Sequence, residues 1–396
     1  MDFGFFKPQY HAMVWDILFW FCIGWLVYVY LGYPLALAVL ALLTRRTYRS
    51  DPDYQPAVSI LFSAKDEISA LPEKLANLRA LDYPKEKIQI LAASDGSRDG
   101  TSEYLRAQKD IHVLILDESI GKNAALNRLL PSATGEILFF TDANTQFDRS
   151  AIRAAVALFA DPRVGCVTGE LRFSSRGSLD SVGRGTGLYW RYENAIKRLE
   201  SAVGSVLVAA GSLLAVRRER CTELFPDVAN DFQLPMMIGS SGDAVLYSGA
   251  FLGKERAASD LKDEFERTVR IVARGICGCR RLWPALLARP FRLWQLLSHK
   301  VMRWLVGPIL LLLMLSTVVL MAGPFSWIYW AASVGQLIFY GAAFLGGAIH
   351  AAGYSAGLLY VPYHFLVLNM AALVGVIRGV FHGAPSVWEK PVSARD

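Results

Sequence analysis

The sequence predicts an α/β fold: a Rossmann-like, doubly wound and mostly parallel sheet, flanked by α-helical transmembrane segments and interfacial helices. Three observations carry that prediction. Residues 17–43 and residues 305–377 contain no Asp, Glu, Lys or Arg, although the chain as a whole is 19% charged. Between these two stretches, short apolar runs alternate with helical periodicity, the pattern of βα units and a parallel sheet. Acids stand directly after the apolar runs, where strands of such a sheet end and ligands bind.

The first charge-free stretch is long enough for one tilted crossing, which needs about 20 apolar residues. It is too long for a signal-peptide core and lacks a basic n-region; Pro34 is placed to kink it. The second stretch would be roughly 110 Å long as a single helix, so it must fold back. Gly323-Pro324 and the glycine-rich residues 346–357 are the natural breaks, giving crossings near 305–322, 326–348 and 356–377. Arg45, Arg46 and Arg49 follow the first crossing, and residues 267–303 hold nine Lys/Arg and no acid. Both ends of the intervening domain are therefore expected at the cytoplasmic face, with both termini outside. Trp283, Leu286, Leu287, Phe291, Trp294 and Leu297 interleave with the basic residues. Such a run reads as helices lying among anionic headgroups, not as a nucleic-acid surface. The five cysteines have no paired zinc spacing and read as reduced thiols.

The expected divisions are an N-terminal transmembrane helix (1–44), a catalytic-type α/β domain (45–260), interfacial helices (261–304), three transmembrane helices (305–380) and a tail (381–396). Charge supports this, because residues 44–304 hold 68 charged residues, the proportion of an ordinary soluble domain. Within the domain, residues 58–63 read as a strand, and Leu71, Leu75, Leu78 and Leu81 follow at helical spacing. Residues 88–93 are the next strand, and Asp99-Gly-Thr101 opens a helix. Residues 112–116 form a third strand, Ala124, Leu126, Leu129 and Leu130 mark another helix, and residues 137–140 form a fourth strand. Lys65-Asp66-Glu67, Asp95 to Asp99, Gly121-Lys122-Asn123 and Asp142-Ala-Asn144 fall after strands one to four in turn. Stability alone does not require acids at these strand ends.

These segments, with Tyr189-Trp-Arg-Tyr-Glu193, Ala210-Gly-Ser212, Arg217-Arg218 and Asn230-Asp231, resemble the successive motifs of family 2 glycosyltransferases. The membrane-embedded branch is the most similar: cellulose, chitin, hyaluronan and poly-N-acetylglucosamine synthases, and the nodulation chitooligosaccharide synthases. The resemblance covers residues about 57–275 and the flanking helices, and it implies a GT-A fold. It also implies roles. Asp95 would accept from the uracil or ribose of a nucleotide, with Asp66 and Glu67 lining the same pocket. Lys122 would meet a phosphate as a point charge. Asp142 and Asn144 would hold Mg²⁺ or Mn²⁺ against a diphosphate, although Asn replaces the second acid of the usual D-x-D and brings no charge. Asp231 is placed as the general base, with Gly211 in the turn that cradles the acceptor.

Residues 261–276 set Leu261, Phe265, Val269, Val272 and Ile276 on one helical stripe. Residues 267–271 fall where polymerising relatives carry Q-x-x-R-W; the Gln is lost to Arg267, Arg270 keeps the motif's Arg and is expected to clamp the pyrophosphate, and Arg267 is expected to bind substrate beside it. Ile271 replaces the Trp that would stack on the acceptor. Simpler readings compete: a solvated Lys122, an N-capping Asp231, a packing Gly211, solvated interfacial arginines, a capping Asp99, and His350 and His364 bonded to neighbouring helices. The expected function is inverting, metal-dependent transfer of a sugar from a UDP-sugar to a saccharide or lipid-linked acceptor, at the cytoplasmic face of the cell membrane. It would serve cell-surface polysaccharide biosynthesis, with the lipid bilayer as a partner. The alternatives are a processive synthase extruding long polymer, with a second copy or export partners completing its tunnel, and a transporter with a regulatory nucleotide-binding domain. The charge-free crossings speak against the transporter.

Overall fold

The structure is a computed structural model and describes residues 8–44, 46–174, 181–256 and 261–385. Arg45, the tail 386–396 and the side chain of Tyr189 lie outside the described residues.

Helix α1 (Pro8–Val27) runs through a π-turn, Tyr28–Gly32, into α2 (Tyr33–Thr44). The expected effect of Pro34 is this widened turn. Proline has no N–H, so the carbonyl four residues earlier loses its helical donor. That carbonyl belongs to Tyr30, and the Tyr192 hydroxyl donates to it at 3.1 Å.

The expected strands and helices of the domain then follow: β1 (Val58–Ala64), α3 (Leu71–Arg79), β2 (Ile88–Asp95), α4 (Thr101–Arg106), β3 (His112–Leu116), α5 (Lys122–Leu129) and β4 (Ile137–Phe140). These four strands pair in parallel in the order β3-β2-β1-β4. Next come β5 (Gln146–Phe147), α6 (Ala151–Val156), β6 (Val164–Ser174), α7 (Ser181–Ala202), β7 (Leu214–Arg217), α8 (Asn230–Ser241) and β8 (Ala244–Arg256). They complete an eight-stranded sheet, β3-β2-β1-β4-β7-β6-β8-β5. This second half departs from the parallel pattern: β7 runs antiparallel to both β4 and β6, and β5 is antiparallel to β8. The sheet is therefore mixed. Its two faces carry separate apolar cores, which explains why the central strands read as continuous apolar runs.

Helix α9 (Leu261–Leu287) leaves the domain; α10 (Pro290–Leu296) leads through a second π-turn, Leu297–Val301, to the short α11 (Met302–Trp304). Helices α12 (Val306–Met321), α13 (Trp327–Ala351) and α14 (Tyr360–Phe381) follow. Three helical spans, Met13–Thr44, Trp327–Ala351 and Gly357–Phe381, are long and apolar enough to cross a membrane. Pro290–Trp304 and Val306–Met321, bent by 60° where they meet, make a fourth if taken as one span.

The apolar stripe of α9 is covered by protein. Val269 and Val272 are buried, and α14 lies close enough that a Cβ at Gly375 would stand 2.7 Å from Val272 and one at Gly379 2.8 Å from Ile276. His364 of α14 bonds Glu264 of α9 at 2.9 Å, the expected interhelical role. Ile271, Trp283 and Leu287 remain exposed.

Candidate functional site

The loops after β1 and β2 are fastened to each other. The Arg98 amide donates to Asp66 Oδ1 at 2.8 Å, the Glu67 amide to Thr101 Oγ1 at 2.9 Å, and the Ile68 amide to Asp99 Oδ2 at 3.0 Å. Asp99 also accepts from the Thr101 amide at the start of α4, while Gly100 stands at the N-cap itself. Asp66 has φ 54°, a left-handed conformation that a non-glycine residue holds at a cost and that clusters at binding sites.

Asp95 ends β2. It is 3% exposed, and its carboxylate is already engaged. Oδ1 accepts from the Ile120 amide at 2.8 Å; Oδ2 accepts from Ser119 Oγ at 2.9 Å and the Gly121 amide at 3.0 Å. These bonds anchor the 119–121 loop that opens α5. Gly96 supports this, because a Cβ there would stand 2.4 Å from the Ser119 amide nitrogen.

The anchored loop presents Lys122, the first residue of α5, in an ion pair with Asp142 at the end of β4. On the same helix, Asn123 donates to the Phe225 and Val228 carbonyls, and Asn127 exchanges two bonds with Leu224. The Gly-Lys-Asn segment thus fixes the loop that leads to α8 and Asp231.

Asp142 is half-buried. Burial pushes its carboxyl up, but Lys122, Lys74 and Arg267 outweigh this and hold it below the usual carboxylate range. Lys74 lies beneath, fully buried, donating to Thr141 Oγ1 at 2.9 Å and the Thr145 carbonyl at 2.5 Å. Burial pulls its pKa down to about 7, against the attraction of Asp142 and Glu255. Asn144 donates from Nδ2 to Glu255 Oε1 at 3.2 Å. Burial, countered by Arg267 and reinforced by Asp142, pushes the Glu255 carboxyl up. The donor set is all oxygen, as Mg²⁺ or Mn²⁺ prefers. Thr145 Oγ1 in the same loop is buried without a hydrogen-bond partner, as a loop built around an absent polar ligand would leave it. Among the described residues no three His, Cys, Asp or Glu side chains form a metal cage. The residues therefore fit a cation shared with a phosphate ligand and not one enclosed by protein.

Asp231 lies in the first turn of α8, but Ala229 occupies the N-cap position, so capping is not its role. No hydrogen bond to its carboxylate is formed among the described residues. Burial raises its pKa; Lys122, Lys197 and Lys300 partly offset this, while Asp142 adds to it. A Cβ on Gly211 would stand 3.0 Å from Asp231 Oδ2, so the glycine keeps space beside the carboxylate. Lys197 of α7 is 5% exposed, and its ammonium lies 5.8 Å from the centre of the Trp190 ring. Glu193 pairs with Lys300 at 3.3 Å and with Arg303, and Glu200 accepts from the Tyr33 hydroxyl and bonds His299. These pairs lock α7 to α2 and to the bent membrane segment.

The two arginines part company. Arg267 falls within electrostatic reach of Asp142 and Glu255. Arg270 is pulled down to about 10 by burial and by its neighbours Arg274 and Arg267, and Arg274 is the one that senses Asp231. The structure thus gathers Lys122, Asp142, Asn144, Arg267, Gly211 and Asp231 at one site, holds Asp66 and Glu67 in the adjoining strand-end loop, and adds Lys74, Glu255, Lys197 and Arg274. Of these additions only Arg274 gave a signal in the sequence, as one of the stripe's arginine neighbours.

Residues 59–225 match the family described as Glycosyl transferase family 2, and the chain contains such a domain. It is 30% identical over 164 residues to a poly-β-1,6-N-acetyl-D-glucosamine synthase of Staphylococcus aureus (strain COL), covering 40% of this chain and 39% of that protein. It is 29% identical over 123 residues to the glycosyltransferase AglE of Haloferax volcanii, covering 30% of this chain and 40% of that protein. The chain thus spans about two-fifths of the length of these curated relatives. A solved mannosyltransferase from Pyrobaculum calidifontis, in complex with GDP-Man and Mn²⁺, superposes with a TM-score of 0.65 over 92% of this chain and 99% of that one, at 21% identity. The fold is GT-A-like.

Proposed function

We propose that this chain is a membrane-embedded, inverting glycosyltransferase. It moves a sugar from a UDP-sugar to a saccharide or lipid-linked acceptor at the cytoplasmic face of the cell membrane, in the assembly of a surface polysaccharide. One observation carries the reading: a cation-flanked, all-oxygen set at Asp142 faces a carboxylate, Asp231, that no described protein group occupies.

The diphosphate of the donor lies against Lys122 and Arg267. Arg267, Arg270 and Arg274 repel one another along α9, and a polyanion relieves that repulsion. The loop of Asp66 and Glu67 borders the nucleoside, and Asp95 keeps the 119–121 loop in place beside it. Asp142 and Asn144 hold Mg²⁺ or Mn²⁺, which when bound neutralises charge on the leaving diphosphate. Asp231 takes the proton of the acceptor hydroxyl as that oxygen bonds to the anomeric carbon. The bond from that carbon to the phosphate oxygen breaks on the opposite face, so a single displacement inverts the centre. Burial brings the Asp231 pKa up toward working pH, where a base is most effective.

Ile271 stands where a stacking ring would grip a growing chain, and it is 54% exposed. The product is accordingly a single addition or a short chain. The test is nucleotide release and product sizing with purified full-length protein across a panel of UDP- and GDP-sugars, with and without Mn²⁺. Release of UDP with a short glycosylated product supports the reading. Folded protein that turns over none of the panel refutes it, and long polymer formed while most acceptor remains unused refutes the short product.

A further inference from the structure

We infer that Glu255, at the far end of β8, is a metal ligand that supplies the negative charge missing from Asn144. The inference rests on the glycosyltransferase reading of the site and extends it to a residue some 110 positions away in sequence.

A carboxylate pair two residues apart would give a divalent cation two charges. This chain offers one carboxylate and one amide there, so the cation would be held by less charge than it needs. The sheet makes up the difference. Strand β5 pairs antiparallel with β8, with Gln146 opposite Lys254 and Phe147 opposite Gly253. That register carries Glu255 past the edge of β5 and alongside Asn144, where its Oε1 accepts from Nδ2 at 3.2 Å. The contact holds the Asn144 side chain beside the Glu255 carboxylate.

The charge of Asp142 reaches Glu255 and disfavours its ionised form, and Lys122, Lys74 and Arg267 stand around the two acids. Two half-buried acids facing each other among cations form a site that a divalent ion can enter when the phosphates of the donor draw Lys122 and Arg267 to themselves. Glu255 thus does in space what the second acid of D-x-D does in sequence.

The test is Mn²⁺ binding to full-length protein with UDP present, read as loss of the free-ion electron paramagnetic resonance signal. Glu255→Gln should weaken Mn²⁺ about tenfold or more. Asn144→Asp combined with Glu255→Gln should restore it, because the charge returns to the loop. Glu255→Cys should exchange Mn²⁺ preference for Cd²⁺, since thiolate favours the softer ion; a residue that only orients Asn144 would not confer this. UDP binding in EDTA, unchanged in every variant, checks folding. Equal Mn²⁺ affinity in wild type and Glu255→Gln overturns the assignment alone. Wild type that binds no Mn²⁺ with UDP present overturns the metal reading of the whole site.

Discussion

The two walls of the site are built differently. The donor wall is the parallel half of the sheet: β1, β2 and β4 end in loops whose functional residues lie within a few positions of one another. The acceptor wall is assembled from α7, α8, α9 and the bent membrane segment, and its residues come from four separate parts of the chain. The donor wall is rigid and self-bonded, with Asp66, Asp95 and Asp99 each spending hydrogen bonds on neighbouring loops. The acceptor wall keeps its central carboxylate, Asp231, unbonded among the described residues. The contrast teaches that a site can be pre-organised on one side to hold charge and left open on the other to receive a proton.

The comparison breaks most sharply at Asp231. Asp231→Asn should lower turnover by about 10²–10⁴ while the protein stays folded; a variant retaining more than about a tenth of the normal rate would exclude a base that contributes on that scale. On the donor wall, Lys122→Met should lower kcat/KM for the nucleotide-sugar by about 10², the scale of one lost electrostatic contact to developing charge. Gly211→Ala should cost about tenfold in kcat, because a methyl 3.0 Å from Asp231 Oδ2 displaces the base and small displacements are costly; its donor KM should not move.

The smallest effect is a shift in pH dependence. Asp231 works ionised, so activity falls as pH drops through its raised pKa. Lys197 helps to hold that pKa down. Lys197→Met therefore moves the acid limb of the kcat/KM profile to higher pH, with the plateau rate retained. An unmoved limb would separate Lys197 from the base.

The donor wall was legible in the sequence because its chemistry is local. A parallel strand ends, a short loop carries the acid, and a helix begins, so Asp66, Lys122 and Asp142 announce themselves in order. The bonds that Asp95 makes were not legible: its partners, residues 119–121, come from the next βα loop, which spacing along the chain does not reveal. Lys74 and Lys197 look in sequence like ordinary helix lysines, and Lys197 stands four residues from Glu193 and three from Glu200, as a solvated ion-pair helix would have it. Only packing shows both to be buried. Glu255 depends on the β5–β8 register, and the antiparallel insertion of four-residue β7 lies below what periodicity can detect. The charge-free stretches coincide with helices long and apolar enough to cross a membrane, because hydrophobic length is a local property. The packing of α9 on α14 through Gly375 and Gly379 is a property of two helices together.

The division between the walls is tested most directly by UDP binding in the presence of Mn²⁺, measured by calorimetry on Asp142→Asn and Asp231→Asn side by side. The account predicts that Asp142→Asn weakens UDP by about tenfold or more, while Asp231→Asn binds it as wild type does. Equal weakening in both variants, or loss confined to Asp231→Asn, would contradict it.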